Sequence, residues 1–275
     1  MLSNLRRIAA TSRLSGADPT AGELIYAVGD VHGRYDLLKQ LTALILKDCT
    51  ARAEDRRPLL IFCGDYVDRG PHSAEVLEAL IWLQQRKDIQ TAFLKGNHEA
   101  ALLCFLDNPA DCWGWLRAGG AETLESYGVA PPLYDEPASC FHARDLLRRR
   151  MPSAHRHFLE GLEPLLVVGD YAFVHAGVRP GVGLHEQSEE DLLWIREAFL
   201  DDEGPFEKII VHGHGWTGDQ PQLLPHRIGL DTGAYETGVL TAVRLGGETI
   251  GVLQAGDGEW TQAGDVRQAV GLTAS

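Results

Sequence analysis

The first half of the chain repeats one pattern. An apolar run ends in glycine and a polar cluster, and a stretch with apolar residues at helical spacing follows. Leu24–Val28 leads into Gly29-Asp30-Val31-His32-Gly33, and Tyr35–Lys47 then carries Leu37, Leu38, Leu41, Leu44 and Ile45 on one helical face. Leu59–Cys63 leads into Gly64-Asp65-Tyr66-Val67-Asp68-Arg69-Gly70, followed by a predicted helix over Ser73–Arg86. Ile89–Leu94 leads into Lys95-Gly96-Asn97-His98-Glu99, with helix continuing over Ala100–Leu106. Asp30, Asp65 and Asn97 thus recur at the length of a strand–helix unit, about 30 residues. Such units build a parallel sheet, and the polar clusters then fall at the carboxyl ends of its strands, where open α/β sheets bind ligands.

The pattern changes after residue 107. The segment 107–163 holds Trp113, Trp115, Gly119, Gly120 and the run Arg148-Arg149-Arg150, and reads as a mainly helical insertion beside the site. From Leu165 short strands dominate. Leu165–Val168 and Tyr171–Val174 flank Gly169-Asp170, a hairpin signal. Ile209–Val211, Arg227–Leu230, Gly238–Leu245 and Thr249–Gln254 are further strand candidates. The last residues show no clear period. The expected layout is a lead-in over 1–21, one domain over 22–256 and a tail over 257–275.

Composition narrows the partners. The chain has 275 residues, 44% of them apolar, which excludes wholesale disorder. Its net charge of −14 argues against a nucleic-acid or anionic-membrane binder, since both require basic patches. No apolar stretch reaches the roughly 20 residues that span a bilayer. The five cysteines form no CxxC pair, and reduced thiols in a cytoplasmic protein are expected. None has an activating context, so a cysteine nucleophile is unsupported.

Two later apolar runs also end in histidine, at His175-Ala176-Gly177 and His212-Gly213-His214. With Asp30, His32, Asp65, Asn97 and His98 these are too many donors for one tetrahedral ion. Two ions, with Asp65 able to bridge them, account for the set economically. Oxygen and imidazole donors suit manganese first, or iron or zinc. Two divalent ions against two carboxylates leave a local charge of about +2, which attracts a phosphate dianion even on an acidic protein.

At these positions the sequence resembles the calcineurin-like metallophosphoesterases, and within them the bacterial phosphoprotein phosphatases. The motifs are GDVHG (Gly29–Gly33), GDYVDRG (Gly64–Gly70), GNHE (Gly96–Glu99), HAG (His175–Gly177) and HGH (His212–His214), all in the family's order. The resemblance implies an α/β fold of two packed mixed β-sheets flanked by helices. It implies that Asp30, His32 and Asp65 hold the first metal, and Asp65, Asn97, His175 and His214 the second. It further implies that a metal-bridging hydroxide attacks phosphorus, and that His98, oriented by Asp68, protonates the leaving oxygen. Arg69, Asn97 and Arg196 would grip the phosphoryl oxygens. The eukaryotic SAPNYC-type segment is absent; Leu230-Asp231-Thr232-Gly233-Ala234 stands in that region.

The expected activity is hydrolysis of phosphoserine or phosphothreonine in proteins or peptides, with phosphotyrosine left open. Two alternatives stand beside it. One is a symmetrical dinucleoside tetraphosphate hydrolase, which in that branch lacks the counterpart of Asp68. The other is an inactive phosphopeptide-binding scaffold, which would have lost a ligand or the acid. His212 is read as a neighbouring or packed imidazole at least as readily as a ligand. Lys95 is divided between a phosphate role and a solvated strand end. Arg148–Arg150 reads as a solvated helix face, and Trp113, Trp115 and Trp194 as packing residues.

Overall fold

The computed structural model describes residues 19–52, 57–109, 112–133, 136–246, 249–256 and 261–267. Most of the predicted lead-in, residues 1–18, and parts of the predicted tail, 257–260 and 268–275, lie outside them. Strands β1 (Ile25–Val28), β2 (Leu59–Phe62) and β3 (Gln90–Phe93) pair in parallel, joined by helices α1 (Tyr35–Arg52) and α2 (Ser73–Gln84). Helix α3 (Asn97–Asp107) follows β3. It starts earlier than its apolar spacing suggests, so Asn97 and His98 lie in its first turn.

The segment that follows is helical: α4 (Cys112–Trp115), a π-helical turn (Leu116–Gly120), α5 (Ala121–Ser126), α6 (Pro137–Arg150) and α7 (Ser153–Glu160). The arginine run at the end of α6 is engaged locally. Arg148 faces Asp107 at 3.6 Å, Arg149 donates to the Asp145 carbonyl, and Arg150 donates to the Gly128 carbonyl. Cys140 in α6 is disulfide-bonded, which corrects the expectation of reduced thiols throughout; Cys49, Cys63 and Cys104 are free.

The chain then builds a second sheet. β4 (Leu165–Val168) and β5 (Tyr171–Val174) form the predicted hairpin, and α8 (Glu189–Trp194), α9 (Glu197–Leu200), β6 (Ile209–His212), β7 (Gln222–Leu223) and β8 (Arg227–Gly229) follow. After α10 (Ala234–Thr237), β9 (Val239–Gly246) returns to the first sheet and pairs antiparallel with β1. β10 (Thr249–Gly256) and β11 (Thr261–Arg267) extend that sheet. No period in the sequence announced β11 or the two-residue β7. The strand orders are β11-β10-β9-β1-β2-β3 and β4-β5-β6-β8-β7. Among the described residues, no helix is long and apolar enough to cross a membrane.

The strands alternate between two apolar layers, as the two-residue repeat of a strand requires. In β1, Tyr26 and Val28 join the core beneath the helices, whereas Ile25 and Ala27 face the core between the sheets. In β5, Tyr171 and Phe173 meet that same inter-sheet core, and Ala172 and Val174 pack outward with Leu192, Ile195 and Phe199. Strands buried on both faces read as unbroken apolar runs, which is why β1, β2, β5 and β6 were legible. The carboxyl ends of β1, β2, β3, β5 and β6 meet at one place.

Candidate active site

Asp30, His32, Asp65, Asp68, Asn97, His98 and His175 are all buried there, and His214 is nearly so. Among the described residues, six non-glycine residues have a left-handed φ, and five belong to the site: His32 (43°), Asp65 (52°), Asp68 (72°), Arg69 (68°) and His214 (61°). Each such conformation costs of order 1–3 kcal/mol and persists only where the surroundings impose it. Glu99 is one such constraint. Its buried carboxylate accepts from the amides of Asp65 (2.8 Å), Tyr66 (2.7 Å), Val67 (3.2 Å) and Gly96 (2.9 Å), tying the loop after β2 to the start of α3. Gly96 must lack a side chain, because a Cβ would lie 2.1 Å from Asp65 Oδ1.

Two groups of potential ligand atoms share Asp65. His32, Asp65 and His98 converge, as do Asp65, His175 and His214, with donor atoms in each group within 4.8 Å of one another. Asp65 Oδ2 is 3.3 Å from His32 Nε2 and 3.9 Å from His98 Nε2; Asp65 Oδ1 is 3.4 Å from His175 Nε2. Asn97 Oδ1 lies 2.8 Å from His175 Nε2 and 3.0 Å from His214 Nδ1. Asp30 stands outside both groups. Its Oδ2 accepts from the His214 amide at 3.0 Å, and its buried Oδ1 finds no hydrogen-bond partner among the described residues.

The proton positions suit cation binding. His32 Nδ1 lies 2.9 Å from the Val67 carbonyl, and His175 Nδ1 2.9 Å from the Cys63 carbonyl. A carbonyl can only accept, so both rings carry their proton at Nδ1 and turn the Nε2 lone pair into the site. Burial lowers His32 and His214 to about 3 and also lowers His175, so all three are neutral imidazoles. Burial together with the charges of Asp231 and Asp65 pushes Asp30 well above the ordinary carboxylate range. Desolvation pushes Asp231 up to about 6. An orphaned carboxylate oxygen, crowded buried acids and neutral imidazoles with inward lone pairs form an environment that bound cations would relieve. The residues fit a metal pair.

His98 is different. Burial works against its charge, but Asp65 and a 2.8 Å hydrogen bond from Nδ1 to Asp68 Oδ2 outweigh this and raise it to about 9. Asp68 is itself held tightly. Its carboxylate accepts from Trp115 Nε1 (2.8 Å) and Thr123 Oγ1 (2.6 Å), and its amide contacts Ser73 Oγ (3.0 Å) and Thr123 Oγ1 (2.9 Å). Asp68 therefore orients the His98 ring and favours its charged form.

The family model for calcineurin-like phosphoesterases matches residues 24–234. The chain belongs to this family. It is 29% identical over 229 residues to serine/threonine-protein phosphatase 1 of Salmonella typhimurium, covering 80% of this chain and 91% of that protein. It is also 29% identical over 227 residues to a symmetrical bis(5'-nucleosyl)-tetraphosphatase of Methylococcus capsulatus, covering 80% of this chain and 65% of that protein. In fold it is similar to a protein serine/threonine phosphatase structure from Saccharomyces cerevisiae, with a TM-score of 0.53 at 14% identity, covering 90% of this chain and 83% of that one.

Within this phosphoesterase fold the remaining candidates sort by contact. Arg196 reaches the site, with Nε 3.3 Å from His214 Nε2 and a further donor 3.3 Å from the His214 carbonyl. Arg69 is half-buried, with its amide donating to the Gly119 carbonyl at 3.0 Å. His212 turns away: Nδ1 lies 2.9 Å from the Gly213 carbonyl, and its ring packs against Phe199. Lys95 pairs with Glu189 at 2.8 Å. Trp115 is more than packing, because it holds Asp68. Sequence reasoning missed that contact, together with Ser73 and Thr123, since no spacing rule links position 68 to 115 or 123. Asp231, in the segment that departs from the eukaryotic pattern, lies buried within reach of the Asp30 and Asp65 charges, and no motif marks it.

Proposed function

We propose that this phosphoesterase is a dinuclear-metal phosphomonoester hydrolase acting on phosphoserine and phosphothreonine in proteins. Asp30, His32 and Asp65 would hold one ion, and Asp65, Asn97, His175 and His214 the other. When bound, two divalent ions, manganese by preference, supply an activated water and draw charge off the phosphoryl oxygens. Arg69, Asn97 and Arg196 bind those oxygens. His98 delivers its Nε2 proton to the leaving oxygen while Asp68 keeps Nδ1 protonated and the ring aligned.

The observation that carries this reading is the Asp68–His98 pair, with Trp115 and Thr123 locking Asp68. A serine or threonine alkoxide is a very basic leaving group, so a positioned acid helps greatly. A nucleoside diphosphate leaves without much help. Two arginines also suit a terminal phosphoryl group, which offers more free oxygens than the internal phosphate of a dinucleotide.

Symmetrical cleavage of a dinucleoside tetraphosphate remains the second reading, because curated relatives of both names match at the same identity. Steady-state kinetics under one metal condition separates the two. A phosphoserine peptide should show a higher kcat/KM than diadenosine tetraphosphate. Asp68→Asn should damage peptide hydrolysis more than aryl phosphate hydrolysis. A clear preference for the dinucleotide, yielding two nucleoside diphosphates, would overturn the first reading in favour of the second.

A further inference from the structure

Arg69 is held in an unusual way for a surface-reaching arginine beside so many acids. Among the described residues its guanidinium makes no ion pair. Its backbone is pinned, with a left-handed φ of 68° and its amide on Gly119, where any Cβ would lie 2.5 Å from that nitrogen. Beyond the backbone, the guanidinium lies over the ring of Tyr235, 4.6 Å from its centroid. The same ring stands edge-to-face on His32, with centroids 5.3 Å apart and planes at 83°.

Tyr235 is itself well anchored. It lies in the single turn α10, between Gly233 and Gly238, both left-handed. The Trp216 indole packs over Gly233, so closely that a Cβ there would lie 2.7 Å from the ring. Arg34 donates to the Ala234 carbonyl at 2.8 Å, and Asp231 accepts from the Gly233 amide at 2.9 Å. The turn belongs to the segment where this chain departs from the eukaryotic pattern, and no motif covers Tyr235.

We propose that Tyr235 is a positioning residue for the phosphoryl-binding Arg69, setting the guanidinium's distance from the His32 side of the site through its ring. A carboxylate in that place would orient the arginine too, but it would neutralise the charge and compete with phosphate. An aromatic face orients a cation and leaves its N–H groups and its charge free for an anion. The ring does this work, so the phenolic oxygen is dispensable.

This rests on the reading that Arg69 meets the phosphoryl group, and the test separates the two. The probes are inorganic phosphate as a competitive inhibitor and an aryl phosphate as substrate, on the metal-loaded enzyme, with metal content measured for each variant. Cation–aromatic contacts contribute enough to predict that Tyr235→Leu weakens phosphate inhibition and raises KM by about 2- to 30-fold. Its kcat should change less, and its metal content should match wild type. Tyr235→Phe should behave as wild type. In an Arg69→Ala background, Tyr235→Leu should add nothing. If Arg69→Ala weakens phosphate inhibition but Tyr235→Leu does not, the role of Tyr235 falls and that of Arg69 stands. The proposal also falls if Phe is as poor as Leu, or if the Leu and Ala effects multiply. If Arg69→Ala leaves phosphate inhibition unchanged, the reading of Arg69 fails and takes this proposal with it.

Discussion

Two buried carboxylate sites in this molecule are built on opposite rules. Asp48 on α1 sits under the first sheet with every charge answered. Oδ2 accepts from Tyr26 (2.7 Å) and Arg244 (3.0 Å), and Oδ1 from Arg52 (3.0 Å). Burial pushes Asp48 up, but those three donors outweigh it and leave the carboxyl below its ordinary value. Asp30, Asp65 and Asp231 at the strand ends lie close together, with Arg69 nearby, an Asp30 oxygen that finds no hydrogen-bond partner among the described residues, and left-handed backbone around them. The first arrangement latches a helix to a sheet. The second is polar strain that the protein leaves for a ligand to resolve, as functional sites do.

Asp65→Asn should show the largest effect. It replaces one of the two oxygens that serve the ligand groups with an amide nitrogen and removes the charge, so metal content should fall and phosphoesterase activity should be lost, while the metal-free fold keeps or gains stability. Elemental analysis and thermal melts with and without manganese check this. Wild-type protein should melt higher with manganese, and the variant should not respond. Wild-type metal content in Asp65→Asn would end the two-ion account.

His98→Asn comes next. Loss of a general acid costs about 10²–10⁴ in rate, roughly 3–5 kcal/mol of barrier. The fall in kcat should be smaller for aryl than for alkyl phosphates, with metal content near normal. Equal losses on both would remove His98 from the acid role.

The Asp48 side of the comparison is tested through stability alone. Asp48→Ala removes the carboxylate that Tyr26, Arg52 and Arg244 all meet, and breaking such a buried ion pair is worth about 3–5 kcal/mol. Denaturant unfolding should register that loss while kcat in the surviving folded protein stays unchanged. The smallest effect is on pH dependence. Asp48 is depressed in the folded state, so its contribution is present above the unfolded value near 3.9 and is lost as pH falls through the folded value. The stability of Asp48→Asn should therefore change less on acidification below about pH 4 than that of wild type.

The two sites also differ in how far the sequence reveals them. The candidate site residues follow apolar runs directly, so Asp30, Asp65, Asn97, His175 and His214 are visible as polar residues where buried strands stop. Nothing local marks Asp48: it is one acid on a helix, and its partners Tyr26 and Arg244 come from strands on either side of a long chain excursion. The same reason hides the support of Asp68, drawn from Ser73, Trp115 and Thr123, and the Arg69–Tyr235 stack.

Strand runs, crossover helices and the order of the ligand-bearing turns are set by short-range chemistry: two-residue and 3.6-residue periodicity, and glycine where a turn or close approach admits no side chain. The sequence therefore determined the strand–turn–helix units, the family and the inventory of candidate groups. It did not determine that β9 returns beside β1, that β11 forms an edge, that Cys140 is disulfide-bonded, or which side chains hold Asp68 and Arg69. Those depend on contacts between segments far apart in the chain, whose partners are chosen by how the two sheets and the helical insertion pack, and no local pattern encodes that choice.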